Sequence, residues 1–149
     1  MSSIEQIPAV QDAVRDLLRA HGLRPTRQRE VLYSALAETK AHPTAEELFE
    51  SVLSRDSGMS LATVYNALEA FTSSGLCRRL AGARGGACRF DADMARHVHV
   101  VTGDGRVVDL PEDLSAEVLE RLGPDLVGKL ESRLGFRLGR VSLQIVSEG

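Results

Sequence analysis

Over the first 75 residues, apolar positions recur at helical spacing. Val10, Ala13, Val14, Leu17 and Leu18 keep one face of a helix apolar, and Gly22 provides a C-terminal stop. Thr26 can cap a second helix carrying Val31, Leu32, Ala35 and Leu36. Thr44-Ala45-Glu46-Glu47 has the form of a capping box and predicts a third helix through Leu48, Phe49 and Leu53. Ser60 can cap a fourth, with Leu61, Val64, Leu68 and Phe71 as its inward stripe and Gly75 at its end. The period then changes. Residues 76–80 and 87–90, around a Gly-rich turn at 81–86, predict a β-hairpin. Short helices followed by a basic hairpin predict a winged helix, whose last helix enters the DNA major groove while the hairpin rides the backbone.

A second unit is expected from residue 93. Residues 98–102 and 106–110 predict two strands joined by Gly103, Asp104 and Gly105, a three-residue hairpin loop. That loop pairs Thr102 with Arg106, Val101 with Val107, Val100 with Val108 and His99 with Asp109. Leu114, Val118, Leu119 and Leu122 predict an amphipathic helix interrupted near Gly123-Pro124, and Leu126, Val127, Leu130 and Leu134 a second. Residues 141–146 alternate as a closing strand would. The expected fold class is therefore α+β. A winged-helix DNA-binding domain (1–92) precedes a small α/β dimerisation and metal-sensing domain (93–149). A unit this small, with an apolar sheet face, is better buried by a second copy, so a homodimer is expected.

Composition changes this picture little. The hydrophobic fraction of 43% and charged fraction of 26% are ordinary for a globular protein, while 4% aromatics, with no Trp, leave the cores to Leu, Val and Ala. No apolar run approaches the length that spans a bilayer, and the first residues lack a basic, apolar leader, so the cytoplasm is expected and no membrane partner. Charge is unevenly placed. Residues 1–90 carry 11 basic and 10 acidic side chains, against 7 and 11 in residues 91–149. The acidic part argues against nucleic-acid binding there and leaves the first part open to it. Cys77 and Cys88 form no CxxC pair, so a structural zinc is not expected, and buried reduced thiols are the expectation for both.

Three of the four histidines can be assembled with two aspartates: His42, Asp91, His97, His99 and Asp109. On a strand, His97 and His99 project to one face, and the hairpin register sets Asp109 opposite His99. Three nitrogens with two oxygens suit a divalent ion such as Fe(II) or Mn(II) better than the thiolate-rich sets that favour zinc. Pro43 is expected to hold His42 extended ahead of the third helix. His42 belongs to the first unit, so an ion bound by all five would fix the angle between the units. His21 sits at a helix end, where interaction with the dipole explains it.

The helix from Ser60 presents Ala62, Thr63, Tyr65, Asn66 and Glu69 outward. Asn66 can bond an adenine edge, and Tyr65 can pack on a thymine methyl. Arg24, Arg27, Arg29, Arg55, Arg78, Arg79 and Arg84 are available for phosphates. A metalloenzyme fits poorly, because five protein ligands leave little open coordination and no nucleophile or general base stands nearby. A metal-independent DNA-binding module is the other alternative.

Gly22-Leu23-Arg24-Pro25-Thr26-Arg27-Gln28-Arg29, Ala41-His42-Pro43-Thr44-Ala45-Glu46-Glu47-Leu48 and Ser60-Leu61-Ala62-Thr63-Val64-Tyr65-Asn66-Ala67-Leu68 resemble the ferric uptake regulator family. Arg89-Phe90-Asp91, His97-Val98-His99 and Val107-Val108-Asp109 continue the likeness, which covers roughly residues 10–147. The resemblance implies a dimeric, metal-dependent repressor of operator DNA. It implies DNA contacts from Arg24, Thr26, Arg27, Arg29, Ser60, Ala62, Thr63, Tyr65 and Asn66. Asn66 and the two aspartates are most similar to the peroxide-responsive branch, in which bound Fe(II) reacts with hydrogen peroxide and a ligand histidine is oxidised. On this chain the resemblance assigns that role to His42 or His97. The family's CxxC pairs have no counterpart here. Val98 and Val141 stand where an accessory site often has an acidic residue and a histidine, so one regulatory metal is implied. Iron-responsive regulators, including a haem-linked branch that also lacks CxxC, remain the alternative.

Overall fold

Three hydroxyl side chains start three of the four helices of the first unit in the computed structural model, which describes residues 6–82, 86–94, 97–138 and 143–148. The chain divides into two compact units, Met1–Met94 and Ala95–Gly149. In the first, helix α1 (Gln6–Ala20) ends at Gly22, whose φ of +77° is the left-handed conformation that glycine adopts without steric cost. Thr26 caps α2 (Arg27–Glu38) by accepting the Arg29 N–H at 3.2 Å. Thr44 caps α3 (Ala45–Val52) through the Glu47 N–H at 3.1 Å, and Ser60 caps α4 (Leu61–Ser74) through the Thr63 N–H at 3.1 Å. Each such cap contributes about 1 kcal/mol, because it satisfies an amide that the first helical turn leaves without a partner.

The inward stripes meet, although Val10, Ala13 and Leu53, expected on them, are exposed. Leu18, Leu32, Leu36, Leu48, Val64, Leu68 and Phe71 are fully buried in one core, with Tyr33 edge-on to Phe71 at 5.7 Å between ring centroids. Burying each Leu or Phe is worth about 1.5–3 kcal/mol. After α4, strands β1 (Arg78–Leu80) and β2 (Arg89–Asp91) pair antiparallel, with Arg78 opposite Asp91 and Leu80 opposite Arg89. Helices followed by this hairpin have the winged-helix order. The strands are shorter than their apolar runs suggest, and part of the expected turn, with Arg84, lies outside the described residues.

The second unit holds β3 (His99–Val101), β4 (Val107–Asp109), α5 (Glu112–Leu122), α6 (Leu126–Leu134) and β5 (Gln144–Val146). Strand β3 is central, antiparallel to β4 and parallel to β5. Gly105, at φ +85°, closes the β3–β4 turn, and the Thr102 N–H reaches the Arg106 carbonyl at 2.9 Å. This is the register expected from the loop. Val98, Val101 and Val107 are buried, and the Ser115 hydroxyl accepts the Val98 N–H at 2.6 Å. The expected closing strand is present over 144–146, while Val141 lies outside the described residues.

Candidate metal centre and nucleic-acid face

The candidate donors form one group in each unit. In the second unit, β3 and β4 set His99 directly opposite Asp109. His99 Nε2 is 3.4 Å from Asp109 Oδ1, His97 Nε2 is 3.1 Å from the same oxygen, and the two imidazole nitrogens are 2.9 Å apart. His97 does not lie in the regular strand, which begins at His99. Its ring nevertheless meets that of His99, with centroids 4.4 Å apart. Neighbouring donors on a six-coordinate ion with bonds of about 2.1 Å stand about 3 Å apart, so two nitrogens and one oxygen here already have a ligating spacing. Imidazole and carboxylate are also the donor types that a borderline-to-hard divalent ion takes.

In the first unit, His42 and Asp91 are both buried, and His42 Nδ1 lies 3.9 Å from Asp91 Oδ1. Asp91 closes β2, and its Oδ1 accepts the Asp93 N–H at 2.8 Å. The expectation that Pro43 keeps His42 extended is overturned. His42 has φ +50°, the only left-handed non-glycine residue among the described residues. Pairing along β2 outweighs the local preference. The Pro43 carbonyl accepts the Phe90 N–H at 3.0 Å, Thr44 bridges Arg89 antiparallel, and the His42 carbonyl accepts Arg89 Nη1 at 3.0 Å.

On α4, Ala62, Tyr65, Asn66 and Glu69 are exposed, whereas Val64, Ala67 and Leu68 face the core. Ser60 and Thr63 share a hydroxyl contact of 2.8 Å at the start of the helix. The Tyr65 hydroxyl donates to Glu46 of α3, a contact that lowers the Glu46 carboxyl and raises the Tyr65 phenol. Arg24, Thr26 and Arg27 are exposed, and Arg29 Nη1 donates to the Arg24 carbonyl at 2.8 Å.

Two other expected phosphate contacts are corrected or already engaged. Arg78 is buried, with Nη2 donating to the Asp93 carbonyl at 2.7 Å, so it holds the end of the wing instead of facing solvent. Arg55 pairs with Glu38 at 2.7 Å. Arg79 lies exposed over the Phe90 ring. The cysteines differ as well. Cys77 is buried, as expected, and burial pushes its thiol up, whereas Cys88, just before β2, is exposed, against the expectation that both are buried. His21 is exposed, with Nδ1 2.9 Å from the Leu17 carbonyl. No helix among the described residues is long and apolar enough to cross a membrane.

Residues 20–127 match the ferric uptake regulator family. The chain is 37% identical over 116 residues to the ferric uptake regulation protein of Brucella abortus, covering 74% of this chain and 82% of that protein. It is 35% identical over 95 residues to the peroxide operon regulator of Bacillus subtilis, covering 63% of this chain and 65% of that one. Among solved structures, it resembles the ferric uptake regulator from Pseudomonas aeruginosa with manganese. The TM-score is 0.69 at 28% identity, over 91% of this chain and 96% of that one.

Proposed function

This chain belongs to the ferric uptake regulator family, and from that premise we propose that it is a homodimeric repressor whose operator binding is controlled by one Fe(II) or Mn(II) ion. As a family member it is a metal-responsive, DNA-binding transcriptional regulator and not an enzyme. The ion's ligands in this reading are His42, Asp91, His97, His99 and Asp109. The observation that carries it is the convergence of His97, His99 and Asp109 at ligating distances, in a donor set without thiolate.

The control is thermodynamic. An ion shared by donors of both units favours the DNA-competent arrangement only by its differential affinity for that arrangement. DNA recognition rests on the exposed face of α4, where Ala62, Thr63, Tyr65 and Asn66 read bases. Arg24, Thr26, Arg27, Arg29 and Ser60 contact the backbone. The exposed apolar side chains of the second unit, including Leu114, Leu134, Phe136, Ile145 and Val146, are the surface for the second copy.

The signal in this reading is hydrogen peroxide. An Fe(II) held there would supply the electron that starts cleavage of the O–O bond. Overall, hydrogen peroxide would take two electrons from the imidazole of His42 or His97, one oxygen atom entering the ring and the other leaving as water, and that ligand would be weakened. Likeness to a ferric uptake regulation protein supports a second reading, in which iron itself is the signal. The test is DNA binding by protein reconstituted with Fe(II) or Mn(II), with and without peroxide, followed by peptide mass spectrometry. Peroxide-induced release confined to the iron form, with one oxygen added to a His42 or His97 peptide, supports peroxide sensing. Iron-dependent binding that survives peroxide assigns the iron-responsive reading, and binding independent of metal removes both.

A further inference from the structure

We propose that Arg89 is a positioning residue that holds His42 in its left-handed backbone conformation, so that the imidazole is set for a metal before the metal arrives. Arg89 and Asp91 are two apart on β2 and therefore project to one face of the strand, while Phe90 turns into the core. That one face meets His42 at two points, bonding its backbone at one and facing its ring at the other. Arg89 Nη1 donates to the His42 carbonyl at 3.0 Å, and Asp91 Oδ1 lies 3.9 Å from the His42 ring nitrogen.

The guanidinium is itself anchored. The same Nη1 lies 3.2 Å from the Glu47 carboxylate in the first turn of α3, and only 14% of the Arg89 side chain is exposed. A charge-assisted bond to a carbonyl, braced by a carboxylate behind it, is among the stronger polar contacts a loop can have. It falls on the one described non-glycine residue with a left-handed backbone. Such a conformation persists only where its surroundings over-determine it, and a residue before proline has still less freedom to adopt it. Without Arg89 the turn relaxes toward extended backbone, and metal binding must restore it. The role rests on the reading of His42 as a ligand.

The test is a double-mutant cycle in Mn(II) affinity, read by the electron paramagnetic resonance of free Mn(II), using Arg89→Met and His42→Ala. Methionine keeps the buried aliphatic stem and removes the guanidinium that makes both contacts. Arg89→Met is expected to weaken Mn(II) about tenfold, the scale of one backbone strain no longer offset. In the His42→Ala background it should cost nothing further. In metal-free protein, the His42 Cα chemical shift should move from left-handed toward extended values. Additive losses would make Arg89 a general support of the wing and overturn the proposal, as would an unchanged His42 shift. If His42→Ala alone leaves Mn(II) binding intact, the ligand assignment fails instead. Should Arg89→Met not fold, Glu47→Ala takes its place in the cycle with the same expected non-additivity and a smaller loss.

Discussion

His99 and Asp109 stand directly opposite each other across the β3–β4 ladder, with imidazole nitrogen and carboxylate oxygen 3.4 Å apart. His97 brings a second nitrogen to the same oxygen at 3.1 Å. Removing His97 therefore takes one donor from a set whose other members keep their places on the strands. His97→Ala is expected to weaken Mn(II) at least about tenfold, since even residues behind metal ligands cost about 10–100-fold. The secondary structure by circular dichroism and the dimer by sedimentation should be unchanged. An unaltered Mn(II) isotherm would remove His97 from the site.

Asn66 is exposed on the α4 face, one residue after Tyr65, whose hydroxyl is held by Glu46. Asn66→Ala should lose about 1–3 kcal/mol of discrimination between the selected DNA and a variant at one position, the scale of one bidentate base contact. Competition binding against a panel of duplexes measures this. An equal loss on every duplex would make Asn66 a backbone contact.

Much of this architecture is legible in the residue pattern, because its causes are local. Thr26, Thr44 and Ser60 cap helices because a hydroxyl one residue before the first turn can reach an orphan amide. The His99–Asp109 pair follows from Gly105 at the end of a three-residue loop, since the turn alone sets the register. What the pattern does not carry depends on partners distant in sequence. The left-handed turn at His42 is imposed by pairing with Phe90 and Arg89. Arg78 is buried because a carbonyl of Asp93, fifteen residues on, receives it. The tie between Tyr65 and Glu46 spans nineteen residues. Arg-Phe-Asp beside His42-Pro43 is the only hint of the Arg89 contact, and it becomes readable once β2 is known.

Strand β5 is an edge of the three-stranded sheet and exposes its apolar residues, with Val146 65% accessible. A charge placed there should oppose association without disturbing the buried valines of β3 and β4. Ile145→Asp is expected to shift the protein from dimer to monomer in sedimentation equilibrium. A dimer of unchanged affinity would place the interface elsewhere.

Burial raises the Cys77 thiol from its ordinary value of 9.0, and burial likewise raises the Tyr33 hydroxyl from 10.0. Groups whose folded values are raised keep more protons in the folded state. Their stability contribution is complete below the unfolded values and declines as pH rises through the folded ones. Urea unfolding should therefore show stability falling above about pH 9, with Cys77→Ala reducing the slope. In the native protein iodoacetamide should label Cys88 alone, and both thiols only after denaturation. Fast native labelling of Cys77 would contradict its burial.

Metal control of DNA binding is tested most directly by the affinity of one duplex, selected by the Mn(II)-loaded protein, measured with saturating Mn(II) and again after chelation. A coupling of ordinary size gives about 5–150-fold tighter binding with metal. Asp109→Asn, which weakens one donor opposite His99, should shrink that ratio toward one. Equal affinity with and without the ion in the unmutated protein would contradict the account.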